Sequence, residues 1–136
     1  MHSDMPTDTT DEHARRFVDA LQSLERDGES TLEAMVALFS PDATLTNAAL
    51  KQAHTVRAGH DGVRAFWSEY ARTFRGAHTT FRQVTLSDNA VGLFWSTRGA
   101  GTASPLDYDG ATLLELDDGG AIARFHGYYD TRELTV

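Results

Sequence analysis

The segment AIARFHGYYDTREL, residues 121–134, reads as an aromatic-rich strand that ends in the acid Asp130, with Arg132 and Glu133 close behind. A carboxylate drawn into apolar surroundings loses solvation and its pKa rises, which suits it to remove a proton from water or an activated carbon near neutral pH. The same acid at a strand end is equally at home as a solvated turn residue, since Asp is mostly exposed. His126 shares the strand with Asp130, but four residues of extended chain separate them by roughly 13 Å, too far for one ion to bridge. His54, His60 and His78 stand in loops or at element starts with no helical spacing to gather them, so no metal site is expected. The run GAGTAS has glycines but no following helix to bind phosphate, and FWSTRG lacks the glycine ahead of Ser96 that a nucleophile elbow needs.

The elements that must position these groups follow from periodicity. Residues 1–10 carry no apolar pattern and read as a loose tail ahead of a single domain spanning 11–136. Ala14, Phe17, Val18, Leu21 and Leu24 recur at helical spacing up to Asp27-Gly28 and predict a first helix. STLEAMVALF predicts a second, with Ser30 and Glu33 as a capping box and Pro41 as its stop. ATLTNAAL alternates weakly and leads into a loop. Val63, Phe66, Trp67, Tyr70 and Phe74 form the stripe of a third helix. After Gly76 the period changes to two through HTTFRQVTL, AVGLFWSTR, YDGATLLEL and AIARFHGYY, which predicts four strands separated by SDN, GAGTASP and DDGG. Helices first and a strand meander last give an α+β domain with helices on one face of a mostly antiparallel sheet.

Composition narrows the partners. The 136 residues are the size of one domain, and 12 Lys plus Arg against 20 Asp plus Glu give a formal net charge of -8, which repels nucleic acid. With no Cys, disulfides and thiol nucleophiles are excluded. No apolar run has the roughly 18 residues of a membrane helix, and the first residues lack a signal-peptide pattern, so a cytoplasmic protein with no membrane partner is expected.

LFSPDATLTN, AGHDGVRAFW and LLELDDGGAIARFHGYYD, in that order, resemble the nuclear transport factor 2-like superfamily, in its SnoaL-like, ketosteroid isomerase-like and limonene epoxide hydrolase-like forms. The resemblance covers about residues 11 to 134. It implies a cone, a curved and mostly antiparallel sheet wrapped around three N-terminal helices, with an apolar pocket inside and a homodimer through the convex face. The isomerase-like base falls on Asn47, and the oxyanion-hole positions fall near Leu21 and Thr112, so the isomerase constellation is not reproduced. The epoxide hydrolase-like pattern places a water-holding Asn at Asn47 and a catalytic carboxylate at Asp130, with YYDTRE as the matching run. Its other two members fall on Ser96 and Arg98, so that triad is not reproduced either.

The resemblance directs Phe94, Ser96 and Arg98 inward and sends Leu93 and Trp95 to the far side. It makes Trp67 a pocket wall. In the last strand Arg124, His126, Tyr128 and Asp130 oppose Phe125, Gly127 and Tyr129. The expected site therefore has Asp130, Asn47 and Arg98 as catalytic residues. Leu21, Trp67, Phe94, Ser96, Thr112, Phe125, Tyr128 and Tyr129 would contact a small hydrophobic substrate. Arg98 would hold a substrate oxygen, restrain Asp130, or form a surface ion pair. Two functions fit: a cofactor-independent acid–base enzyme of isomerase, cyclase or hydrolase type, or a non-catalytic ligand-binding or dimerisation module of the same fold.

Overall fold

The computed structural model describes residues 6–99 and 106–130. The 99–104 glycine run beyond Gly99, and Arg132 and Glu133 of the opening segment, lie outside the described residues. Helix α1, Pro6–Asp27, leads through a 3-10 turn at Gly28–Thr31 into the short α2, Leu32–Val36. There follow β1 (Phe39–Thr46), α3 (Ala48–Gln52), β2 (Arg57–Ala58) and α4 (Gly59–Thr73). The chain ends in β3 (Ala77–Leu86), β4 (Ala90–Gly99), β5 (Leu106–Leu116) and β6 (Ile122–Tyr129).

Among the described residues the strands form one six-stranded sheet in the order β2-β1-β6-β5-β4-β3. It is antiparallel except where β1 runs parallel to β6. The sheet is curved and unclosed. Register shifts leave one extra residue in each of two strands, Arg82 in β3 opposite Phe94/Trp95 and Ala123 in β6 opposite Glu115/Leu116, which bends and twists those strands. The apolar stripe of α1, from Ala14 through Phe17 and Leu21 to Leu24, is buried with Val63 and Trp67 of α4 and with Leu45, Leu93, Leu114 and Phe125 of the sheet. The predicted α+β cone is the observed architecture.

Local differences have local causes. Helix α1 begins at Pro6, inside the stretch read as a tail, because Pro fits the first helical turn, where no N–H partner exists. Thr10 is buried and its Oγ1 donates to the Asp88 carbonyl at 3.2 Å, fastening this turn to the β3–β4 connection. The second helix is shorter than STLEAMVALF suggests, ending at Val36 instead of at Pro41. Its capping box does not form: Ser30 Oγ donates to the Asp27 carbonyl, and the Glu33 carboxylate takes Arg64 at 2.8 and 3.0 Å. Pro41 lies within β1, in the stretch between Phe39 and Thr44 where pairing to β6 shifts, so its missing N–H breaks no ladder.

Candidate functional site

The concave face of the sheet and helices α1 and α4 enclose a cavity of about 70 Å³. Its walls are mostly aromatic, with Phe17 and Leu21 from α1, Phe66, Trp67, Tyr70 and Phe74 from α4 or its end, and Trp95, Tyr108, Phe125 and Tyr129 from the strands. Asn47, Thr79, Thr97, Thr112 and Gly127 complete it. A wider space of about 360 Å³ adjoins it, sharing Asn47, Phe66, Tyr70, Phe74 and Tyr129 and adding Leu50, Arg57 and Glu69. We refer to the first space as the chamber and the second as the vestibule. Arg57 Nη2 and Glu69 Oε1 pair at 2.8 Å across the vestibule.

Two close approaches shape the chamber. A Cβ on Gly110 would lie 2.4 Å from the Trp95 ring, so only glycine lets that indole lie across β5. The Trp95 indole then donates to Thr112 Oγ1 at 3.0 Å. Gly127 similarly faces Asn47, whose Cβ would stand 3.2 Å from an added Cβ. Asn47 itself is the N-cap of α3, its Oδ1 accepting from the Leu50 N–H at 2.8 Å.

The expected site residues divide. Leu21, Asn47, Trp67, Thr112, Phe125 and Tyr129 line the chamber. Phe94, Ser96 and Arg98 do not, because β4 presents the opposite face: Leu93 is fully buried in the core, and Trp95 and Thr97 continue that side into the chamber. Phe94 is exposed, Ser96 Oγ donates to Asp109 at 2.6 Å, and Arg98 pairs with Asp107 at 3.1 Å. The inward placement of Phe94, Ser96 and Arg98, and the outward placement of Leu93 and Trp95, are therefore corrected. Val91, Leu93 and Trp95 alternate as the apolar set of β4, so period two alone chooses the observed face. Tyr128 also points outward, beside Lys51 and stacked on His126, while Tyr129 faces in. Asp130 follows the last residue of β6, half-buried, and is not among the residues lining the chamber or the vestibule. Asn47, Arg98 and Asp130 are not brought together around the chamber.

The structure adds a polar group that the sequence reading missed. Glu25 of α1 is 1% exposed. Its Oε1 accepts the Thr79 N–H at 2.9 Å, and its Oε2 accepts the Tyr70 hydroxyl at 2.6 Å and the Thr79 hydroxyl. Thr79 Oγ1 stands 2.7 Å from Thr97 Oγ1, and Thr97 neighbours the Tyr108 hydroxyl. Tyr70, Thr79, Thr97 and Tyr108 all line the chamber. Burial, reinforced by the Glu25 charge, pushes the Tyr70 phenol well above its usual range. Burial first, then the nearby Tyr129 and Glu25, raises Tyr108, and burial raises Tyr129 against a hydrogen bond with the Ala49 backbone. These phenols stay neutral at physiological pH and act as hydrogen-bonding groups. The signal for Glu25 was present in the sequence, since it follows Leu21 by four and Phe17 by eight, on the buried stripe of α1.

The family model described as SnoaL-like domain matches residues 14–125. No curated protein sequence matches the chain. Among solved structures, the epoxide hydrolase/cyclase-like enzyme SalBIII, studied for pyran ring formation in the polyether salinomycin, superposes with a TM-score of 0.75 at 11% identity, over 95% of this chain and 97% of that one. An LEH-like epoxide hydrolase of M. tuberculosis gives 0.71 at 16% identity, over 93% of this chain and 86% of its own. An NTF2-like protein of unknown function from Cytophaga hutchinsonii gives 0.67 at 17%, over 97% and 96%. At these identities the structures speak for the fold, and the fold alone does not choose a chemistry. The chain belongs to the SnoaL-like domain family, within the nuclear transport factor 2-like superfamily.

Proposed function

We propose that this domain takes a small, largely apolar molecule into the chamber and the adjoining vestibule, which together supply room that the chamber alone lacks. The observation that carries the reading is an aromatic-walled chamber joined to a wider polar-edged space through five shared residues. Concave, mostly apolar spaces with a few placed polar groups are where proteins hold small ligands. Both tryptophans of the chain, Trp67 and Trp95, line the chamber, so their indole N–H signals in NMR report on it directly. Titration with toluene is expected to shift both, and saturation without movement of either would reject the reading.

Acid–base turnover beside Tyr129, with Asp130 as the base, is the second reading. It is favoured by the position of Asp130, next in sequence to Tyr129, which lines both spaces. In that case an epoxide or an activated carbonyl compound is turned over, and Asp130→Asn lowers the rate by about 10²- to 10⁴-fold. Under the binding reading no member of such a panel is turned over above the uncatalysed rate.

A further inference from the structure

The hydrogen-bond direction within the Glu25 cluster sets what the chamber can recognise on that side. Glu25 is the acceptor in all three of its side-chain contacts, from the Thr79 N–H, the Thr79 hydroxyl and the Tyr70 hydroxyl. A Thr or Tyr hydroxyl has one proton to give. That of Thr79 goes to Glu25, so across the 2.7 Å contact it is Thr97 that donates to Thr79. The proton of Tyr70 is likewise spent on Glu25. Tyr108 beside Thr97 satisfies at most one of the two Thr97 lone pairs. The Thr97 and Tyr70 hydroxyls therefore offer lone pairs to the chamber, with their protons drawn back towards Glu25.

A second, independent observation concerns Trp67. It is 1% exposed and lines the same chamber, yet its indole N–H has no hydrogen-bond partner among the described residues. A buried donor left unpaired carries a free-energy cost that a ligand acceptor removes. The chamber thus holds committed acceptors at Thr97 and Tyr70 and an orphan donor at Trp67.

Resting on the ligand-binding reading above, we propose that the chamber selects hydrophobic alcohols, small apolar molecules whose hydroxyl meets the Thr97 and Tyr70 side of the chamber. A hydroxyl donates to the Thr97 side and still has lone pairs for the Trp67 N–H. A carbonyl oxygen has no proton to give and leaves the acceptors unpaired. An ammonium has no lone pair for the indole and loses its hydration among aromatic walls. This polarity is the opposite of an oxyanion hole, whose donors point at the bound oxygen.

Four probes of one shape test it: toluene, benzyl alcohol, benzaldehyde and benzylamine, titrated into the full chain and into Thr97→Val while the Trp67 and Trp95 indole signals are followed. Thr97→Val is isosteric and leaves all three donors to Glu25 in place. The expected result is that benzyl alcohol binds tightest, and that Thr97→Val weakens it by about tenfold while toluene keeps its affinity. Benzaldehyde or benzylamine binding as tightly as benzyl alcohol overturns the proposal, as does an equal loss for toluene and the alcohol in Thr97→Val. Toluene binding without preference removes this proposal and leaves the ligand-binding reading standing, whereas no response to any probe removes both.

Discussion

At the scale of single residues, Glu25 is the position where loss of one group strands the most partners. Glu25→Gln keeps one acceptor but sets an NH₂ against groups that are themselves donors, so at least one buried donor loses its partner. We expect a loss of about 2 kcal/mol in urea unfolding, larger than for Arg98→Ala, which removes only an exposed pair with Asp107. The raised phenols make a second prediction. In the unfolded chain tyrosine ionises near pH 10, whereas Tyr70, Tyr108 and Tyr129 hold their protons to higher pH in the fold. Between those limits the native state binds more protons than the unfolded one, so stability falls as pH rises above about 10 and is unaffected by these groups below it. Denaturant midpoints that stay constant from pH 9 to alkaline unfolding would contradict this. The sequence placed Leu21, Trp67, Thr112, Phe125 and Tyr129 at the chamber, yet passed over Glu25. A lone carboxylate on an apolar stripe has its meaning only through partners 45 and 54 residues away, which no local spacing reveals.

At the scale of elements, period two was the sound guide wherever it was followed. The four strands after Gly76 and helix α4 stand where alternation and the aromatic stripe put them. On β4, a face assigned by resemblance displaced the plain alternation of Val91, Leu93 and Trp95, and one residue of register exchanged every side chain. β1 was legible only in part because Pro41 interrupts its pattern, and β2 is two residues long, too short for any periodicity. The β4–β5 pairing also yields a test of the chamber wall. Gly110→Ala places a methyl 2.4 Å from the Trp95 ring, so the indole must leave its bond to Thr112 or the strands must part. Overpacking of this kind costs about 1–3 kcal/mol. The Trp95 indole N–H resonance should move while that of Trp67 holds; an unmoved Trp95 would show that the wall has room for the methyl. At the mouth, Asn47→Ala removes the α3 cap for about 1 kcal/mol, and helix α3 is expected to gain amide exchange ahead of the sheet.

At the scale of the whole molecule, the convex sheet face raises the question of what covers it. Phe94, Ala111 and Tyr128 stand in register across β4, β5 and β6, and Phe94 and Tyr128 are 45% and 46% exposed. Around them Arg98 pairs with Asp107, Arg124 pairs with Glu115, His126 bonds the same Glu115, and Asp109 accepts from the Ser96 hydroxyl. An apolar centre with a polar rim, most of whose charges are paired within the chain, is a surface suited to pairing with a copy of itself. We therefore expect a homodimer through this face, with a light-scattering mass twice the 14.9 kDa of one chain. Phe94→Glu places two like charges near the dimer axis and should return the mass to one chain. Because Phe94 points away from the chamber, that variant should bind toluene as the parent does. A parent mass of one chain would remove the dimer. A Phe94→Glu variant that is monomeric and has also lost toluene would mean that the two faces of the sheet are coupled, with pairing on the convex side setting the curvature that holds the chamber open.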